Sequence, residues 1–286
     1  MARGLDHIVH AVRDLERAAD LYRRLGFTVG VRNRHSWGTH NHIVQFPGVF
    51  IELLTVAEPD KLGNDGFSTL FGAFNRDFLA RDEGLSLLIL ESKNAAADEN
   101  DFRAAGISAA PVMRFERDGK RPDGTTVKVA FSLAFAEDRA APNIHFAVCQ
   151  QHYPENFWNP AFQKHANGAT TVAGVVAVAS QPEKHKQFFA SFAGTQATPV
   201  AGGFSLRTPR GTIDVLTPSA FTQRYGVVAA DVSHGARLAA IRFQARDVAL
   251  LEALPQQAGI AGINPGGSTV IGRDDAMGAV LIFEVA

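Results

Sequence analysis

His7 interrupts the apolar run at residues 5–12, and Glu52 interrupts another at 49–54. Burying an unpaired carboxylate in such a strand is costly, so a metal ion, a histidine partner or a bound substrate has to compensate for it. An imidazole and a carboxylate brought together can ligate a divalent ion or move a proton, with Glu52 as ligand or as general base. The plainer alternatives are a metal-free polar pocket histidine for His7 and a structural hydrogen-bond acceptor for Glu52. Two donors do not complete a metal site. The candidate third is His145: across residues 144–152, His145 and Gln151 share one face of an expected strand, and Gln150 and His152 the other. With His145 turned inward, His7, Glu52 and His145 make a two-histidine, one-carboxylate set with open positions, suited to Zn, Mn, Fe or Ni.

A second polar concentration is Arg34-His35-Ser36-Trp37-Gly38-Thr39-His40-Asn41-His42. His35, Thr39 and Asn41 can contact the oxygens of a substrate, with Trp37 as an apolar wall; a surface turn held by its own side chains is the alternative. Gln150 and His152 are candidate substrate contacts at a pocket rim. Cys149 has apolar and amide neighbours and no adjacent Lys or Arg to lower its pKa, so it reads as a buried structural thiol.

These side chains need a scaffold. Along the first strand Leu5, His7 and Val9 share one face and Ile8, His10 and Val12 the other. A helix follows, with Asp14 as N-cap, a stripe of Leu15, Ala18, Ala19, Tyr22 and Leu25, and Gly26 as its stop. It has to cover the Ile8 and Val12 face, which leaves His7 toward the concave side and makes His10 a satisfied structural histidine. Strands are expected at 27–32, 41–46 and 49–56, the last two joined by Pro47-Gly48. The unit is βαβββ.

The same order recurs three more times. The second copy opens at 85–90, has a helix at 95–105 and strands at 112–117 and 127–135 about the turn Arg121-Pro122-Asp123-Gly124, and closes at 144–150. The third runs from 172–179 through a helix at 182–192 to 212–216. The fourth opens at 238–245, has a helix at 248–258 and ends at 279–285. Gly26, Gly106, Gly194 and Gly259 stand at matching helix ends. Between the first two units, Phe67, Leu70, Phe71, Phe74 and Phe78 mark a buried helix. The boundaries expected are 1–150 for a first pair of units carrying the site, 151–170 for a connector rich in Tyr, Trp and Phe, and 171–286 for a degenerate second pair. A connector that aromatic packs on the sheets or roofs a pocket, because exposed rings are costly.

At 286 residues the chain can fill two cores. A net charge of −1 gives no electrostatic reason to expect nucleic acid or an anionic membrane as partner. One cysteine cannot form an internal disulfide, no apolar run reaches membrane-spanning length, and no leader pattern precedes the first strand. A cytoplasmic protein with a small-molecule substrate is expected, and a homodimer is left open. Eight of the ten histidines lie at or before His165, which puts any histidine-bearing site in the first half. In the third unit Gly174 or Val175 replaces His7 while Asp214 stands near the Glu52 position. The fourth has Glu284 on its last strand and Ala240 or Ile241 on its first. Two carboxylates without imidazole could hold a hard ion weakly; a structural or interfacial role is the better reading.

The segment Asp6-His7-Ile8-Val9, then Asp14-Leu15-x-x-Ala18-x-x-x-Tyr22-x-x-Leu25-Gly26-Phe27, then His35-x-x-Gly38-Thr39-x-Asn41 and Phe50-Ile51-Glu52-Leu53-Leu54, resembles the vicinal oxygen chelate superfamily and its glyoxalase-like proteins. The later copies match in layout. The resemblance implies an α+β fold of four βαβββ modules in two paired, strongly curved mixed sheets around a divalent ion. It implies a metal-dependent lyase or isomerase acting on a small oxygenated organic substrate, the ion stabilising an enolate or similar anion. In such proteins the partner module also supplies ligands, yet Leu87 stands where a second first-strand histidine would align. A metal-free, resistance-type binder and an extradiol-type dioxygenase are the alternatives. The second is disfavoured because its site belongs in the later half. Such a fold does not by itself name the reaction.

Overall fold

The structure, a computed structural model, describes residues 1–63, 65–120 and 124–285. The first half opens with β1 (Leu5–Ala11), whose residues are all buried, and α1 (Leu15–Arg24). Asp14 caps α1 by accepting from the Arg17 amide; Leu15, Ala18, Ala19, Leu21 and Tyr22 form its buried stripe. Each large apolar side chain so buried contributes about 1.5–3 kcal/mol. Gly26 then reverses the chain at φ +76°, where a Cβ would be strained and would press on Asn167.

The expected strand at 27–32 is absent; only β2 (Asn33–Arg34) pairs, with β3 (Thr39–Phe46), and β4 (Val49–Val56) follows. A π-helical turn over Ser68–Ala73 runs into α2 (Phe74–Leu79), the buried helix expected there. The second module comprises β5 (Gly84–Glu91), α3 (Ala95–Ala104), β6 (Met113–Lys120), β7 (Thr126–Ala136) and β8 (His145–Gln151). Residues 121–123 of the expected turn lie outside the described residues. The eight strands form one sheet in the order β2-β3-β4-β1-β5-β8-β7-β6. β1 runs antiparallel to β5 at its centre and parallel to β4 on its other side; β5 is parallel to β8.

The connector contributes α4 (Pro154–Phe157). The second half then has β9 (Ala169–Val178), α5 (Lys186–Ala193), β10 (Ala197–Val200), β11 (Gly203–Arg207), β12 (Thr212–Leu216), α6 (Pro218–Tyr225), β13 (Arg237–Ala245), α7 (Val248–Ala258), β14 (Thr269–Ile271) and β15 (Val280–Val285). Its sheet has seven strands, β10-β11-β12-β9-β13-β15-β14, so the fourth module has one strand fewer than its siblings among the described residues. Both sheets are mixed and the fold is α+β, the first curling into a half-barrel.

On the helix-covered side, apolar residues of both halves form one continuous core. Phe27 packs 5.0 Å from Phe243 and 5.8 Å from Phe283 across the junction. His10 lies there, its Nδ1 3.0 Å from the Tyr22 hydroxyl and its Nε2 3.0 Å from the Met277 carbonyl. Burial lowers its pKa, and both nitrogens are satisfied. The concave faces differ. In the second half α6 fills the bowl with Phe221 and Tyr225 against Val176, Val178 and Ile282. In the first, Val9, Leu87, Ile89 and Ala147 form a floor beneath Trp37 and Phe71, and the bowl keeps a cavity. No helix among the described residues is long and apolar enough to cross a membrane.

Candidate functional site

The parallel register pairs His7 with Phe50 and Val9 with Glu52, so His7 and Glu52 lie diagonally on the concave face of adjoining strands. Both line the same cavity, of about 80 Å³. The His7 ring stacks on Phe50 at 4.3 Å. Its Nδ1 lies 2.6 Å from Asp6 Oδ1. Regular alternation would send neighbouring side chains to opposite faces, but β1 is bulged here: Leu5 pairs with Leu90 and His7 with Ile89, which leaves Asp6 as an extra residue. The second Asp6 oxygen accepts from Gln151 Nε2 at 3.0 Å. A carboxylate on Nδ1 fixes the hydrogen there and leaves Nε2 as the acceptor of the neutral ring. His7 Nε2 has no hydrogen-bond partner among the described residues.

Glu52 is buried, and burial raises its pKa from the ordinary carboxylate value. The field of His7 and the hydrogen bond from Asn41 pull it partly back. Asn41 Nδ2 donates to Glu52 Oε1 at 2.5 Å, while Asn41 Oδ1 accepts from Asn33 Nδ2 at 3.1 Å. The other carboxyl oxygen of Glu52 has no partner among the described residues.

Of the polar run, His35, Trp37 and Asn41 line the cavity. Thr39 does not; its hydroxyl bonds His35 Nδ1 at 2.8 Å and orients that ring, which stacks on Trp37 at 4.6 Å. Burial, with Arg117 and His40 adding, holds the His35 pKa down at about 3, so the ring is neutral. The aromatic wall continues through Phe67, Phe71, Phe115 and Phe131. Phe157 of the connector closes it, and Gln45 clamps that segment through the Phe157 carbonyl and the Asn159 amide. Burial, then Asp6 and Glu52, push the Cys149 thiol up, so it is a poor nucleophile despite lining the cavity.

Besides Thr39, three further expected residues fall outside the cavity lining. His145 is on the concave face but stacks on Phe74 at 3.5 Å, and its Nδ1 is engaged by the Leu70 carbonyl at 2.7 Å. It does not line the cavity, and burial lowers its pKa to about 4. Gln150 points to the helix side, where its Oε1 accepts from the Ala95 amide and caps α3. His152 bonds Ser132 Oγ at 2.7 Å. Alternation along β8 explains both displacements, since Cys149 takes the cavity face. Among the described residues no three His, Cys, Asp or Glu side chains come together in a way that could hold a metal ion. The donors present therefore do not fit the divalent ion expected from His7, Glu52 and His145. Sequence reasoning missed Asp6, hidden by the bulge, and Arg117, which shares a β6 face with Met113 and Phe115 and lines the cavity.

In the second half Arg242 replaces any ion. Its Nε and Nη2 reach Glu284 at 2.9 and 2.8 Å, and Nη1 reaches Asp214 at 3.1 Å. Burial works against the Arg242 charge, but the hydrogen bond and field of Glu284 raise its pKa overall.

Residues 5–192 match the sequence model of a family described as a glyoxalase-like domain. No curated protein matches. Among solved structures, a hypothetical protein from Staphylococcus aureus superposes with a TM-score of 0.69 at 12% identity, covering 99% of this chain and 100% of that one. A mutant 4-hydroxymandelate synthase from Streptomyces coelicolor gives 0.60 at 10% identity, over 99% and 92% of the two chains. The Mn(II)-bound glyoxalase from Novosphingobium aromaticivorans gives 0.53 at 10% identity, over 100% and 83%. At these identities the likeness is one of fold.

Proposed function

Because the chain belongs to the glyoxalase-like domain family of the vicinal oxygen chelate superfamily, we propose that it takes a small oxygenated organic molecule into the first-half cavity and shifts a proton on it, as a lyase or isomerase. One observation carries this: His7 and Glu52, with His7 Nε2 and the second Glu52 oxygen unpartnered among the described residues, share a cavity walled largely by aromatic rings. Two titratable groups whose surroundings differ divide the work of acid and base.

His7, with its Nδ1 hydrogen given to Asp6, is the base. It takes a proton from carbon beside a carbonyl, and the electron pair moves to the carbonyl oxygen. Glu52, whose proton burial holds more tightly than that of an exposed carboxyl, is the acid that gives its proton to that oxygen, and Asn41 holds the carboxyl in place. Glu52 thus changes from the expected base to the acid. No step is routed through a metal, because the donor set does not fit one.

The test is exchange of carbon-bound hydrogen into D₂O, followed by proton NMR, for a panel of hydroxyketones and 2-oxo acids. Exchange above the buffer rate is expected, falling about 100-fold or more in Glu52→Gln and in His7→Ala, as loss of a general acid or base does. Exchange no faster than buffer overturns the catalytic reading. The aromatic wall favours one other reading, a binder: it predicts that panel members bind with no exchange.

A further inference from the structure

We infer that Arg117 reads a carboxylate, so that the cavity is built for a flat organic anion, an aryl or similarly planar carboxylic acid. The inference rests on the proposed reading of the cavity and names its substrate class. Six arginines among the described residues are buried or half-buried. Five are answered by acids: Arg3 by Asp98 at 2.7 Å, Arg210 by Glu91 at 2.5 Å, Arg237 and Arg273 each by Asp82 at 3.0 Å, and Arg242 by Glu284 at 2.8 Å. The sixth is Arg117. Among the described residues its one hydrogen bond is a long 3.4 Å contact to the Asp118 carbonyl, and no acid pairs with it and no ring lies beneath it. A half-buried cation without a partner is costly to keep, and a ligand that supplies the missing charge recovers that cost.

Arg117 lines the cavity that holds His7 and Glu52, close enough that its charge acts on His35. Next to it the rings favour a planar body: Trp37 and Phe115 meet edge-to-face at 4.8 Å, and Phe67 stacks on Trp37 at 5.1 Å. A guanidinium fork matches a carboxylate in both geometry and charge. It fixes one end of such an acid and leaves the rest of the molecule to the rings and the two proton-carrying groups.

Calorimetry with phenylacetate and its uncharged counterpart phenylacetamide tests this. The wild-type protein should bind the acid at least 10-fold more tightly than the amide. Arg117→Gln, on a strand at the sheet edge, should weaken the acid by about 10- to 100-fold, the usual range for a charge-assisted hydrogen bond, and leave the amide unchanged. Arg117→Lys should restore part of the preference. Equal affinities for acid and amide in the wild type, or an acid preference that survives Arg117→Gln, would overturn the inference and leave the cavity reading standing. Binding of neither also overturns the inference, while exchange on the hydroxyketone and 2-oxo acid panel decides the cavity reading separately.

Discussion

His7 Nδ1 lies 2.6 Å from Oδ1 of the residue immediately before it, Asp6, a contact that the bulge in β1 makes geometrically accessible. The carboxylate fixes which ring nitrogen is free, and the free one belongs to the cavity. An asparagine in its place can present its NH₂ to the ring, turning Nδ1 into an acceptor and moving the ring hydrogen to Nε2. Asp6→Asn should therefore lower the exchange rate constant by about 10²- to 10⁴-fold, while dissociation constants for bound acids move by less than about threefold. Parallel loss of binding and turnover would instead make Asp6 a structural residue.

His35 gives a pH dependence. Its native pKa is pushed down to about 3 from 6.5, chiefly by burial. The unfolded chain therefore takes up a proton before the folded one does. The stability it contributes is fully present above pH 6.5 and is lost as pH falls through that value toward 3, at about 1.4 kcal/mol per pH unit. Urea unfolding of wild type and His35→Gln between pH 7 and 4.5 should show the variant losing less stability over the interval. Identical slopes would mean that the ring is charged in the folded protein.

Arg242 holds two carboxylates, the half-buried Glu284 and the buried Asp214, whose other arginine partner, Arg224, is more distant at 3.5 Å. Arg242→Met should destabilise the protein by about 3–5 kcal/mol, the usual cost of breaking a buried ion pair from one side. Adding Asp214→Asn and Glu284→Gln should recover much of that loss in a denaturant titration. No recovery would show that the packing of the arginine stem, rather than charge, is what matters.

The fold was legible because four helices end at matched glycines, Gly26, Gly106, Gly194 and Gly259, each in the left-handed region, and because strand alternation separated Ile8 and Val12 from Val9. The same alternation put His7 and Glu52 on one face. It failed at Asp6, since a bulge is a property of the pairing and leaves no mark in the residues themselves. The strand expected at 27–32 reads well locally, but most of that stretch has no partner in the ladder; the Gly30 amide makes one bond, to Ile43, and pairing starts only at Asn33. Arg117 sits in Met-Arg-Phe-Glu-Arg-Asp-Gly-Lys, whose charges look like a solvated edge; only the alternation of Met113, Phe115 and Arg117 hinted otherwise. For His145, alternation grouped it with Gln151 but left open which face turns inward; it lies on the concave one, where Phe74 and Leu70 claim its ring before the cavity does.

The chemistry of the cavity turns on whether Glu52 keeps its proton near neutral pH. Carbon-13 labelling of glutamate side chains, with the Glu52 signal assigned by its loss in Glu52→Gln, lets that carboxyl be titrated directly. Its midpoint should lie above the ordinary 4.5, because burial outweighs the opposing pull of His7 and Asn41, and it should rise further in His7→Ala. A carboxyl already ionised at the pH of the exchange assay would contradict the account, and the acid assigned to this cavity would be gone.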